Sequence, residues 1–231
     1  MLTPHRTAQR SDGGRGQHEA WLTFSAQAGN DPTLEGFGGL AVLDEFRLPP
    51  GGTISGHSLR EAELITYVFE GTLAYQDSLG RAGAMQAGEF RRISVGRGVR
   101  SSETNSSRTD WTRLFRVGLG SSAGLQCDPE QKRFSVAQRR DGLCLIASAT
   151  ARAGSLRIRD DALLYSALLG QGQHLVHQLS PGRHAWLHVV SGEVALRDLV
   201  LTSGDAVGIS AEHAVSFTAR TEAEVLLADV T

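Results

Sequence analysis

The feature that most constrains the fold of this 231-residue chain is a pattern it spells twice. Tyr67-Val68-Phe69-Glu70-Gly71-Thr72-Leu73-Ala74-Tyr75-Gln76-Asp77 is answered in the second half by His188-Val189-Val190-Ser191-Gly192-Glu193-Val194-Ala195-Leu196-Arg197-Asp198. Each copy reads as an apolar strand, a glycine turn and a second alternating strand. Further on, Gly88-Glu89-Phe90 is answered by Gly204-Asp205-Ala206, each ahead of another short strand. Identities are few, but the shared order is that of one supersecondary plan used twice.

Period-two patterning runs through much of the rest. Ile65 to Phe69, Arg113 to Val117, Ala185 to Val190 and Glu224 to Ala228 are short runs rich in β-branched and aromatic residues. Turn clusters such as Pro49-Pro50-Gly51-Gly52 and Ser180-Pro181-Gly182 separate such runs. Short strands broken by frequent turns indicate an all-β sandwich or barrel, and a doubled unit indicates two. The expected division is a first barrel over residues 1–120, a linker over 121–139, where the periodicity fails, and a second barrel over 140–231. A strand around Trp21 to Ser25 is expected to cross from the amino-terminal segment to the second barrel.

Charge excludes some partners. With 23 basic and 25 acidic side chains the net charge is −2, so no global field gathers nucleic acid or an anionic membrane. No apolar run approaches the ~20 residues that span a bilayer. The polar start from Met1 to Gly14 does not resemble a secretory leader, and the expected location is cytoplasmic. Cys127 and Cys144 cannot form a disulfide framework and read as reduced, packed thiols. The sequence lacks a P-loop, Cys-x-x-Cys and His-Glu-x-x-His. Asn105-Ser106-Ser107 matches a glycosylation sequon, which means nothing without export. His174, His177, His184, His188 and His213 contain no His-x-His pair and read as core or rim residues; His177 and His188 could meet inside the barrel.

The stretch from Gly51 to Gly71 resembles a first cupin motif: Gly51, then His57-Ser58-Leu59, then Glu63 and Gly71. Thr66-Tyr67-Val68-Phe69-Glu70-Gly71, Asp77-Ser78-Leu79-Gly80 and Gly98-Val99-Arg100-Ser101-Ser102-Glu103 are similar to the wording of the pirin family. The likeness extends from Arg6 to Val225-Leu226-Leu227, nearly the whole chain. It implies a bicupin, two tandem double-stranded β-helix (jelly-roll) barrels, with metal in the first barrel only.

In that family the metal is held by two histidines of a His-x-His, a later histidine and the glutamate two residues beyond it. The matching positions are His57, Leu59, Ser101 and Glu103. Leu59 and Ser101 are therefore vacated ligand positions: leucine has no lone pair, and a neutral serine hydroxyl is a poor donor for iron, copper or nickel. Alternation along a strand aims 57 with 59, and 101 with 103, to the same side. A three-ligand site would need Glu63, or Glu61, beside His57 and Glu103. Arg91, Arg92, Arg97 and Arg100 read as a solvated face. The sharper expectation is that Arg60 or Arg100 turns into the pocket to pair with a carboxylate or an anion.

The resemblance with a degenerate ligand set implies a small-molecule-binding or regulatory module, without a cofactor, whose partner is an unknown small molecule or protein. The alternative is a quercetin 2,3-dioxygenase with a non-standard ligand set, a divalent Fe, Ni, Cu, Mn or Zn ion, and Glu103 as the base.

Overall fold

The computed structural model describes residues 1–12, 18–24, 36–55, 62–95, 101–120, 129–140 and 142–231. It divides into two compact units, one formed by 11–36 with 40–133, the other by 1–10, 37–39 and 134–231. No helix among the described residues is long and apolar enough to cross a membrane.

In chain order the strands begin with β1 (Leu2–His5), β2 (Ser11–Asp12), β3 (Glu19–Leu22), β4 (Leu40–Leu48), β5 (Thr53–Ser55) and β6 (Ala62–Glu70). They continue with β7 (Thr72–Asp77), β8 (Ala82–Gln86), β9 (Glu89–Val95), β10 (Ser101–Asn105), β11 (Thr112–Gly120) and β12 (Glu130–Arg133). After a one-turn helix α1 (Val136–Arg139) come β13 (Cys144–Ser148), β14 (Leu156–Arg157), β15 (Leu163–Leu169), β16 (His174–Gln178) and β17 (His184–Ser191). The chain closes with β18 (Glu193–Leu196), β19 (Leu199–Thr202), β20 (Ala206–Ile209), β21 (Ala214–Ala219) and β22 (Ala223–Val230).

The first barrel sets a seven-stranded sheet, β12-β9-β6-β11-β4-β3-β2, against a four-stranded one, β5-β10-β7-β8. The second repeats the plan with β1-β20-β17-β22-β15-β13-β14 and β16-β21-β18-β19. Each is filled by alternate side chains: Phe46, Leu48, Ile54, Val68, Leu73 and Leu114 in the first; Leu187, Val189, Val194, Val207, Phe217 and Val225 among those in the second. Burying each such side chain contributes about 1.5–3 kcal/mol against the entropy of ordering the chain.

The doubled sequence pattern is a doubled geometry. Gly71 and Gly192 sit at φ +79° and +81°. A Cβ at Gly71 would lie 2.6 Å from the Trp111 carbonyl oxygen, and one at Gly192 would lie 2.1 Å from that of Glu222. Backbone handedness and close approach both demand glycine there. The Gly88 amide donates to the Val68 carbonyl at 2.9 Å, as the Gly204 amide does to Val189 at 2.8 Å. In each Gly-acid turn the carboxylate accepts the amide three residues back, Glu89 from Gln86 (2.8 Å) and Asp205 from Thr202 (3.0 Å).

Two boundaries differ from expectation. The strand around Trp21 stays in the first barrel, paired to β4. The segment that joins the second barrel from the amino terminus is β1, which extends its sheet alongside β20. The expected linker 121–139 carries β12, which pairs with β9, and α1, whose buried Arg139 bonds Glu224 in the second unit. A polar strand such as Glu-Gln-Lys-Arg has little alternation to betray it, because edge strands are solvated on one side.

The start of the chain is tied down by Asp205, which accepts from the Thr7 amide and an Arg6 guanidinium N–H, both at 2.9 Å. Burial by itself would raise this carboxyl. The hydrogen bonds from Thr202, Thr7 and Arg6 outweigh it and hold Asp205 below the ordinary carboxylate value. A carboxyl depressed in the folded state stabilises the fold above its unfolded value, about 3.9, and that contribution is lost as pH falls through the folded value. Asp205→Asn should therefore be less stable than the parent at pH 7, with the gap narrowing below about pH 4. Urea unfolding at pH 7 and pH 3 checks this; a gap that stays constant contradicts it.

Candidate functional site

Two facing rows of side chains cross the interior of the first barrel. On the seven-stranded sheet, Asp44 is opposite Arg116, Arg116 opposite Thr66, Thr66 opposite Arg91 and Arg91 opposite Gln131. On the four-stranded sheet, Ile54 is opposite Glu103, Glu103 opposite Tyr75 and Tyr75 opposite Gly83. Cross-strand partners share a face, so each row is one continuous line. The rows meet in two contacts: Arg116 forms an ion pair with Glu103, and the Arg91 guanidinium lies 3.6 Å from the centroid of the Tyr75 ring.

Both members of the ion pair are buried, Glu103 at 2% exposure and Arg116 at 5%. The Arg116 guanidinium also lies 4.8 Å from the centre of the Phe46 ring. A charge in such surroundings requires a close counter-charge, because desolvating an unpaired carboxylate costs several kcal/mol. Burial, and then the Arg116 charge, push the His18 imidazole below its ordinary value, so its charged form is disfavoured beside this site.

The sequence-derived residues are distributed as follows. Glu103 points into the barrel, and Ser101, two residues earlier and opposite Asp77, is half-buried with the same strand parity. Glu63 lies on the opposite face of the seven-stranded sheet. Leu64, Thr66 and Val68 share the face of Arg116, whereas Glu63, Ile65 and Tyr67 alternate away from it. Fully buried there, Glu63 accepts from Ser94 Oγ at 3.3 Å, and Ser94 Oγ in turn accepts from Arg92 at 3.0 Å. The fold does not bring Glu63 to Glu103. His57, Leu59, Arg60, Glu61, Arg97, Arg100 and Cys127 lie outside the described residues.

The solvated-face expectation is overturned for Arg91 and Arg92, which are 4% and 3% exposed. They point to opposite faces of a sheet shielded on both, since Tyr67, Phe90 and Phe115 are buried on the side away from the barrel interior. Arg116 is a pocket residue that sequence reasoning missed. The available signal was an arginine inside the apolar run Leu114-Phe115-Arg116-Val117, at a position whose neighbour two residues back faces the core.

The second barrel's histidines do not converge. His177 Nε2 is 2.8 Å from an Asp229 carboxylate oxygen, His174 bonds Thr218 Oγ1 at 2.9 Å, and His213 is exposed. His188 is fully buried with Trp186 parity, facing away from the Leu187 and Val189 side that fills the barrel. Among the described residues no group of three or more potential ligands could hold a metal. Cys144 is a free thiol, half-buried, and burial pushes its pKa up, so it is less nucleophilic than an ordinary cysteine. Asn105 of the sequon is fully buried and donates to the carbonyls of Leu48, Pro49 and Asp110, which leaves no amide for a glycan.

Residues 5–118 match the family model described as Pirin, and residues 145–230 match the one described as Quercetinase C-terminal cupin domain. The chain is 34% identical to a quercetin 2,3-dioxygenase of Escherichia coli K12 over 231 residues, covering 100% of this chain and 99% of the relative. The crystal structure of YhhW from Escherichia coli superposes with a TM-score of 0.90 at 33% identity, covering 100% of this chain and 98% of that one. The same bacterial pirin in complex with nickel(II) gives 0.89 at 33% identity, covering 100% and 99%.

Proposed function

The chain belongs to the pirin family, and from that premise we propose that its first barrel is a metal-independent pocket for a small molecule. The observation that carries this reading is the buried ion pair between Glu103 and Arg116. Of the four positions that hold metal in the family, Leu59 has no donor atom and Ser101 offers only a neutral hydroxyl. The carboxylate of the third, Glu103, already accepts from a guanidinium. The residues present do not fit a metal ion, and Arg116 supplies the positive charge that a metal would otherwise bring to Glu103.

What remains is a polar layer above an apolar core, a form suited to binding: a few fixed polar groups orient a ligand and the barrel walls enclose it. A role as a regulatory or interaction module belongs to the same reading, with the occupied pocket as the state a protein partner would sense.

The second reading, a metal-dependent quercetin 2,3-dioxygenase, is favoured by likeness to the Escherichia coli relative over its full length. It requires a donor besides His57 and Glu103, and the fold turns Glu63 to the far face.

Elemental analysis separates the two readings. Untagged protein, expressed with Fe, Ni, Cu, Mn and Zn supplied, is expected to carry well below one metal per chain and to leave quercetin unchanged. A stoichiometric metal with ring opening of the flavonol overturns the proposal and puts the dioxygenase reading in its place.

A further inference from the structure

We propose that Arg91 anchors an anion subsite in the polar layer of the first barrel, shaped to take the carboxylate of a small organic acid. This rests on the metal-independent pocket proposed above and names what it holds.

Arg91 is treated differently from every arginine around it. Arg116 has Glu103, Arg113 has Glu45 at 2.7 Å, and Arg92 has Ser94 at 3.0 Å and Glu130 at 3.9 Å. Arg91 is as buried as these, yet among the described residues no carboxylate lies within ion-pair distance of it. Its nearest partner is the face of Tyr75, 3.6 Å away. Desolvation lowers its pKa, against the raising influence of Tyr75, by charge and by a side-chain hydrogen bond, and of the charges of Glu103 and Asp77, which act on it only as neighbours.

Each neighbouring acceptor is already engaged. The Gln131 carbonyl oxygen accepts from the Tyr75 hydroxyl at 3.2 Å, and its amide nitrogen donates to Ala84 and Glu89. Asp77 accepts the amides of Leu79 and Arg81. Glu103 is held by Arg116.

Of the five N–H donors of the guanidinium, those not engaged by Tyr75 remain in the plane of the group, a fork that matches a carboxylate in two parallel hydrogen bonds. Tyr75 is a fixed platform for that fork. Its hydroxyl is tied to Gln131 and its ring lies against Gly83, where a Cβ would come within 2.4 Å of the hydroxyl oxygen. One uncompensated cation, with Glu103 and Asp77 at a distance, balances a monoanion better than a dianion, which those carboxylates would repel.

The probe is benzoate, with benzamide as the neutral isostere, titrated calorimetrically into protein with and without prior treatment with a chelator. Benzoate is expected to bind and benzamide not. Arg91→Gln should weaken benzoate at least about tenfold. Arg91→Lys keeps the charge but loses the fork and should fall between the two, which preserves the test if the glutamine variant does not fold. Benzoate binding that is unchanged in either variant, or absent from the parent, overturns the subsite. Binding that disappears on chelation but ignores Arg91 points instead to a bound metal, so failure of the subsite and failure of the metal-independent reading give different results.

Discussion

Arg116→Leu is expected to destabilise the first barrel by about 3–5 kcal/mol, the cost of leaving one member of a buried ion pair without its partner. Glu103 is 2% exposed and cannot regain the hydration it surrendered on folding. Its cross-strand neighbours, Ile54 and Tyr75, offer no positive charge. Glu103→Leu with Arg116→Leu should recover most of the loss, because removing both charges also removes both desolvation penalties. The double variant further shows whether the pair is a stability element or a polar feature retained for binding. Urea unfolding of the parent, both single variants and the double variant closes a mutant cycle, read on the transition of the first barrel since a chain of two units need not unfold in one step. A loss below about 1 kcal/mol for Arg116→Leu, the range of an exposed pair, would mean that the carboxylate does not depend on this guanidinium.

The second large effect is in metal affinity. Leu59→His with Ser101→His rebuilds the family's set of three imidazoles and one carboxylate in sequence. Arg116 still holds that carboxylate, so nickel binding by this double variant should be weak. Adding Arg116→Leu frees Glu103 and should tighten nickel by at least about tenfold. The triple variant should also be rescued by the metal. Without nickel it carries an unpaired buried carboxylate; with nickel the ion supplies the counter-charge, and its midpoint should rise with nickel concentration. Calorimetric titration of nickel into the double and triple variants checks this. Equal affinities with and without Arg116 would show that the guanidinium does not stand where the metal charge acts.

Much of the fold was legible in the chain itself. Gly71 and Gly192 signal a left-handed turn backed against a neighbouring strand, a local requirement that only glycine meets. The Gly-acid turns at Gly88 and Gly204 are likewise short-range, with the carboxylate capping an amide three residues away. Alternation from Ile65 to Phe69 and from Ala185 to Val190 specifies strands because the side-chain period of a strand is two. At the site, residue identity alone shows that Leu59 has no donor atom and that Ser101 offers only a neutral hydroxyl; that positions 57, 59, 101 and 103 correspond to metal ligands is what the family resemblance implies.

The remainder depended on which elements meet. Alternation says that Arg91 and Arg92 face opposite ways, but not that both sides of their sheet are buried. Glu103 and Arg116 lie on different sheets, so their pairing arises only when those sheets close over one interior. Arg60 and Arg100 lie outside the described residues; among those described, the barrel brings Arg116 to Glu103 and Arg91 to Tyr75, from β11 and β9. The same holds for Glu63, set on the far face by the register of β6 with β11, and for β1, whose pairing with β20 joins opposite ends of the chain.

The sequence by itself thus determined the elements, their doubling and the donor atoms that Leu59 and Ser101 do or do not carry, because each depends on a residue's own backbone preference or side-chain atoms. Tertiary structure alone decided which charges are buried together. Burial and pairing are properties of surfaces brought into contact, and residues far apart in the chain acquire them only when the sheets close.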